Sequence, residues 1–221
     1  MRLLSRLSTL KNNKAKEKMS TNDFIKEGYI RVTELLSPWK DLSAIPAYLL
    51  QEKAIIGTNV HEAIVADSLG LPTKELTTRE QKYFESYQKW NEMFKPEYCL
   101  REERLYDEEL MLTGQLDAIV QFSANDAPTI IDYKCTASMS KKHWSIQLGW
   151  YYLLARKNRI PVKRKAFCVQ LNDKDKAPKI FECEIENGLL DVCKAVYDSY
   201  IFFNDNIVGS ASTKETLAIN S

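Results

Sequence analysis

Residues 129–138, TIIDYKCTAS, decide how the rest of the chain is read. The stretch begins as an apolar run, which suits a strand buried on both faces. Asp132 and Lys134 follow, two positions apart, so on a strand both point to the same face. An acid and a base therefore converge where a core strand ends. D-x-K is a common tripeptide, and taken alone a buried structural ion pair is the simpler explanation. The surrounding residues change that weighting.

The preceding strand-like segment, LMLTGQLDAIVQF at 110–122, carries Asp117. If it pairs with TIIDYK, Asp117 sits near Asp132 and Lys134. Two carboxylates repel, the more so in a poorly solvated cleft. A divalent cation removes that penalty, and carboxylate oxygens with retained waters suit Mg²⁺ or Mn²⁺. Lys134 beside such a metal can donate to a phosphate oxygen or polarise the attacking water. These are the parts of metal-assisted phosphodiester hydrolysis. Upstream, GTNVHEAI places His61 and Glu62 on a helix, with Gly57 four residues before the histidine. Downstream, Gln147 and Tyr151 are four apart on the helix after D-Y-K and share a face.

Composition bounds the setting. The 221 residues, 44% of them hydrophobic, suffice for one sizeable core in a single α/β domain. Lysine plus arginine (31) balance aspartate plus glutamate (30), so nucleic-acid binding needs a local basic patch. No apolar run reaches the roughly 18 residues of a membrane helix. Five scattered cysteines without CxxC argue for a reducing compartment and against a zinc site or disulfide framework. Residues 1–20 form a basic tail, read either as a disordered or loosely helical extension or as an organelle transit peptide. The first reading gives a cytoplasmic protein of a bacterium or phage, the second a mitochondrial one. Residues 21–203 form the domain, and 204–221 a polar tail.

Within the domain, residues 31–36 (RVTELL) form a short element stopped by Pro38. Residues 45–70 read as a helix interrupted near Gly57 and closed by Gly70, and 77–94 as a helix with a capping box. Strands at 98–107 and 110–122 flank an acidic turn at 107–109. After the strand at 128–134 come a helix (141–158), two strands (163–172 and 179–186) and a closing helix (187–204).

Four motifs now stand in order: G-x-x-x-H (Gly57, His61), G-x-x-D (Gly114, Asp117), D-Y-K (Asp132, Tyr133, Lys134) and Q-x-x-x-Y (Gln147, Tyr151). The series resembles the PD-(D/E)XK nuclease superfamily over roughly residues 28–203, and within it the RecB-type and phage-exonuclease-like branch. The resemblance implies a restriction-endonuclease-like core, with a mixed central β-sheet flanked by helices. It implies metal ligation by His61, Asp117, Asp132 and the Tyr133 carbonyl, a water-assisting Lys134, and DNA contacts by Gln147 and Tyr151. A glutamate on the strand before G-x-x-D sometimes lies near such a site. Strand alternation lets only one of Glu102 and Glu103 point inward, and Glu103 is the expectation; Glu62 is read as exposed or supporting. The cysteine pattern of iron–sulfur members is missing, so no cluster is expected. No P-loop motif appears, so unwinding falls to a partner such as a helicase.

KKHW opens the helix that carries Gln147, offering Lys141 to phosphates and Trp144 to unpaired bases. RIPVKRK at 159–165 is a second basic cluster. The expected activity is Mg²⁺- or Mn²⁺-dependent DNA exonuclease action without sequence preference, in recombination, repair or replication. A helicase, recombinase or single-strand-binding protein is the expected partner, and no membrane is involved. A structure- or site-specific endonuclease and a catalytically silent DNA-binding module are the alternatives.

Overall fold

The apolar run at 129–134 becomes a strand with neighbours on both sides and helices above and below. It is β4 (Thr129–Lys134), and every residue up to Tyr133 is buried. The computed structural model describes residues 26–40, 43 and 45–204. The basic tail expected at 1–20 and the polar tail beyond residue 204 lie outside the described residues. Among those described, the other strands are β1 (Ile30–Arg31), β2 (Glu97–Asp107), β3 (Leu112–Gln121), β5 (Lys165–Gln170) and β6 (Lys179–Glu184). The helices are α1 (Val32–Leu35), α2 (Ala47–Ser68), α3 (Thr78–Phe94), α4 (Lys141–Lys157) and α5 (Asn187–Asn204). A 3-10 turn at Ser37–Trp39 contains the proline that stops α1.

The strands form one mixed sheet in the order β1-β3-β4-β5-β6, with β2 also paired to β3. β4 and β5 are parallel and joined through α4, while β2–β3, β3–β4 and β5–β6 are antiparallel. Ile119 and Ile130 pack with Leu148 and Leu154 of α4 and Tyr200 of α5. Ala118, Val120, Ile131 and Tyr133 pack with Val60 and Ile64 of α2 and Tyr87 and Trp90 of α3. The sheet is thus covered on both faces, which is why β4 shows no polar alternation. This is the mixed α/β sheet flanked by helices that the sequence led us to expect.

α3 starts where its capping box places it. Glu80 N–H donates to the Thr77 hydroxyl at 3.4 Å, and the Glu80 carboxylate accepts from Thr77 N–H at 2.8 Å. Thr77→Ala is expected to destabilise the fold by about 1 kcal/mol, measured by urea denaturation. α2 corrects an expectation: it runs through Gly57 without interruption. A glycine costs a helix only about 1 kcal/mol, which a 22-residue helix packed on a core tolerates. A Cβ at Gly57 would meet nothing within 4 Å. The glycine lines open cleft one turn before His61, so its missing side chain leaves the histidine uncovered.

β3 places the site through an asymmetry in its pairing. One edge is taken by β2 along nearly the whole strand. The other edge pairs with β1 at Leu112 and Thr113 and with β4 at residues 118–120. Among the described residues, 114–117 have no strand partner on that edge. There β3 and β4 part, one residue beyond the Ala118–Ile131 pair, which puts Asp117 opposite Asp132. Gly114 lets α4 close over the gap, since a Cβ there would fall 2.8 Å from Leu154 Cδ1 and 3.0 Å from Tyr151 Cε1.

Candidate active site

The parting of β3 and β4 frees backbone groups that side chains then satisfy. Tyr133 N–H donates to Asp117 Oδ2 at 2.7 Å, in place of a β3 carbonyl. His61 of α2 donates through Nε2 to the Tyr133 carbonyl oxygen at 3.2 Å. Its Nδ1 lies 3.5 Å from Asp117 Oδ1 and 3.4 Å from Glu102 Oε1. One ligand atom from each of His61, Glu102 and Asp117 lies within 4.8 Å of the others. An imidazole nitrogen and two carboxylate oxygens at that spacing fit a hard divalent cation. Burial disfavours the His61 imidazolium, but Asp117 and Glu102 outweigh it and hold the pKa well above the ordinary value. Without metal, a proton there serves the two carboxylates as counter-charge.

The second half of the site is the end of β4. Asp132 is 2% exposed, and its Oδ2 lies 2.6 Å from Lys134 Nζ. Lys134 also donates to Gln147 Oε1 at 3.0 Å, while Gln147 Nε2 donates to Asp132 Oδ1 at 3.3 Å and to the Tyr151 hydroxyl at 2.8 Å. The Cys168 thiol approaches the same carboxylate at 3.6 Å. Burial pushes the Asp132 carboxyl upward, so its ionisation rests on the Lys134 and His61 cations beside it. Burial likewise opposes the Lys134 charge, but Asp132 reverses the balance and raises the ammonium pKa. The geometry of the pair is fixed from α4, through Gln147. Behind it the Tyr133 ring lies among Tyr87, Trp90 and Tyr98, with its hydroxyl 2.9 Å from that of Tyr98. Anchoring that ring fixes the backbone carbonyl facing His61.

A cleft of about 1980 Å³ joins the two halves and is lined by His61, Glu102, Asp117, Asp132, Lys134, Gln147 and Tyr151. Arg31, Lys74, Arg101 and Arg104 also reach it. Several expectations are corrected here. Glu102, not Glu103, faces His61: the hairpin pairs Asp107 with Leu112, and counting back along that register sets Glu102 opposite Asp117. Glu102 adopts φ +44°, a left-handed conformation unusual for a non-glycine residue. Asp132 stands opposite Asp117 across the parting strands, where Lys134 and Gln147 contact it. Trp144 is 4% exposed and packs against Phe181, so it offers no stacking surface. Gln147 and Tyr151 are buried and brace Lys134 more than they present a face to solvent. Lys141 is exposed at the start of α4, and Glu62 is exposed and pairs with Lys74.

Three of the four cations in the basic cluster at 159–165 are engaged elsewhere. Lys163 pairs with Asp126 at 2.7 Å, Lys165 with Glu182 and Glu184, and Arg164 donates to the Ile185 carbonyl and Asn187. These contacts tie the chain before β5 to its neighbours. Gln115, Arg104 and Cys168, all of which touch the site's acids or their partners, belong to none of the four motifs. Their signal was positional, since Gln115 and Asp117 share a face of β3.

Fold and site together are those of a nuclease core: an Asp-x-Lys pair where two strands part, beside a His–Glu–Asp cluster and over an open cleft. The chain belongs to the PD-(D/E)XK nuclease superfamily, whose profile matches residues 37–207. The expectation drawn from the order of the four motifs is thereby met. No curated protein matches the chain in sequence. Among solved structures, an exonuclease candidate from Eubacterium rectale is similar at TM-score 0.51 and 9% identity, over 90% of this chain and 96% of that one. An alkaline exonuclease from Laribacter hongkongensis is similar at TM-score 0.48 and 12% identity, over 81% and 90%. A phage-related exonuclease from Haemophilus somnus is similar at TM-score 0.43 and 16% identity, over 81% and 95%. Among the described residues no helix is long and apolar enough to cross a membrane.

Proposed function

We propose that residues 21–203 form a divalent-metal-dependent deoxyribonuclease that degrades DNA from free ends without sequence preference. The observation that carries this is the meeting of His61, Glu102 and Asp117 within 4.8 Å, in one cleft with the Asp132–Lys134 pair. His61, Asp117, Glu102, the Tyr133 carbonyl and Asp132 would hold the cation, Mg²⁺ or Mn²⁺. When bound, that ion supplies a Lewis acid for the phosphate and a nucleophilic water at neutral pH. Lys134 orients the attacking water or donates to a non-bridging phosphate oxygen, where negative charge develops. Gln147, fixed by Tyr151, keeps the Lys134 ammonium aimed at that position. Arg31, Lys74 and Arg101 line the cleft, held by Glu34, Glu62 and Ser68, and would meet phosphates regardless of base by exchanging those surface contacts.

Sequence readout would need an element projecting into a major groove, whereas the β2–β3 ribbon and the helices here wall a concave cleft. Binding accordingly falls steeply as salt rises. The likeness of the four motifs to the RecB-type and phage-exonuclease-like branch supports a role in recombination, repair or replication, in a bacterial or phage cytoplasm. It also supports a helicase, recombinase or single-strand-binding partner. The test compares a labelled linear strand with a covalently closed circle of the same sequence. The linear strand is expected to shorten from its ends while the circle persists. Rapid cutting of the circle at discrete positions would replace this reading with a site-specific endonuclease.

A further inference from the structure

Glu102 reaches His61 from an unusual backbone conformation, and something must hold its carboxylate there. Two residues do so. Gln115 Nε2 donates to Glu102 Oε2 at 2.7 Å, leaving Oε1 toward His61 Nδ1. Gln115 Oε1 in turn accepts from an Arg104 guanidinium nitrogen at 2.6 Å. Arg104 and Gln115 are directly paired across β2 and β3, and Glu102 and Asp117 stand opposite each other two positions along. The four side chains share one face of the two-stranded ribbon. An arginine has only donors, so its bond fixes which end of the Gln115 amide faces Glu102. With the amide reversed, the glutamine carbonyl would meet the carboxylate and repel it.

We infer that Gln115, oriented by Arg104, is a positioning residue that sets the Glu102 carboxylate as a wall of the cation site. The inference rests on the proposed metal-dependent nuclease reading. Its distinctive content is that Gln115 acts through Glu102 alone. Residues that orient metal ligands from behind are worth about 10- to 100-fold in metal affinity. Gln115→Leu keeps the side chain's bulk and removes both of its hydrogen bonds.

The test is a cycle of four proteins, wild type, Gln115→Leu, Glu102→Gln and the double variant, titrated with Mn²⁺ by calorimetry without DNA. Thermal melting of each accompanies the titration. Gln115→Leu is expected to weaken Mn²⁺ binding about tenfold in the wild-type background and to add nothing in the Glu102→Gln background. Gln115→Leu binding Mn²⁺ as tightly as wild type would overturn the inference, as would an equal loss in both backgrounds. A loss of affinity that tracks melting temperature across all four proteins would also overturn it, by making Gln115 merely structural. If wild type itself takes up no Mn²⁺, the proposed function falls and this inference with it. The first three outcomes remove the inference alone.

Discussion

Lys134→Ala is expected to slow DNA hydrolysis about a thousandfold while leaving DNA affinity nearly unchanged. The lysine touches Asp132 and Gln147 from inside the cleft, where its charge acts on the reacting phosphate or water more than on overall affinity. Removing it also leaves Asp132 buried beside Gln147 and the Cys168 thiol, with Lys134's compensation gone. That carboxyl, already pushed upward by burial, then takes up a proton, so the variant folds with a lowered melting point. Lys134→Gln keeps a donor and is expected to melt closer to wild type but to cleave no better than the alanine variant. Single-turnover cleavage and fluorescence anisotropy on labelled DNA separate the two effects. Cleavage near the wild-type rate in either variant would make Lys134 a structural residue.

Asp117→Asn is expected to weaken divalent-ion binding by on the order of a hundredfold and to bring hydrolysis below detection. Asparagine keeps an oxygen for Tyr133 N–H, so the parting of β3 and β4 survives, but the charge beside His61 is lost. The change also has a readout that needs no metal. The His61 pKa is raised because Asp117 and Glu102 together outweigh its burial. Removing the Asp117 charge therefore lowers it, and the imidazole loses its proton at lower pH. The sign for stability follows. In wild type the His61 contribution is fully present below the unfolded pKa of about 6.5 and is lost as pH rises through the higher folded value. In Asp117→Asn that loss comes at lower pH. Only two histidines occur in the chain, so proton NMR of the imidazole C–H resonances follows His61 directly. The other, His143, is held low, at about 4, by burial and by the Lys40 and Lys134 cations. A His61 pKa unchanged in Asp117→Asn would contradict the geometry described here.

Sequence alone made the two carboxylates and the lysine readable because strand geometry is periodic. Asp132 and Lys134 had to share a face, and pairing of the two strands brought Asp117 beside them. Glu102 was misread because alternation says only that it and Glu103 face opposite ways. Which one faces the site depends on hairpin register, set by a turn spanning 108–111 that ends with Met111 at φ +49°. The bulge between Tyr98 and Leu100 shifts the phase again, and no glycine marks it. The burial of Trp144 and the pairing of Lys163 and Lys165 were illegible for a different reason. Their partners Phe181, Glu182 and Asp126 lie on other elements, where no local pattern shows them. Gln147 and Tyr151 were placed near the active pair by motif order, and only packing reveals that they brace it.

The most direct test is the release of labelled nucleotide from end-labelled linear DNA by the purified chain in Mg²⁺, in Mn²⁺ and in EDTA. The account predicts progressive shortening in one or both metals, none in EDTA, and none in any condition with Asp117→Asn. Equal degradation in EDTA, or degradation by Asp117→Asn at the wild-type rate, would contradict it.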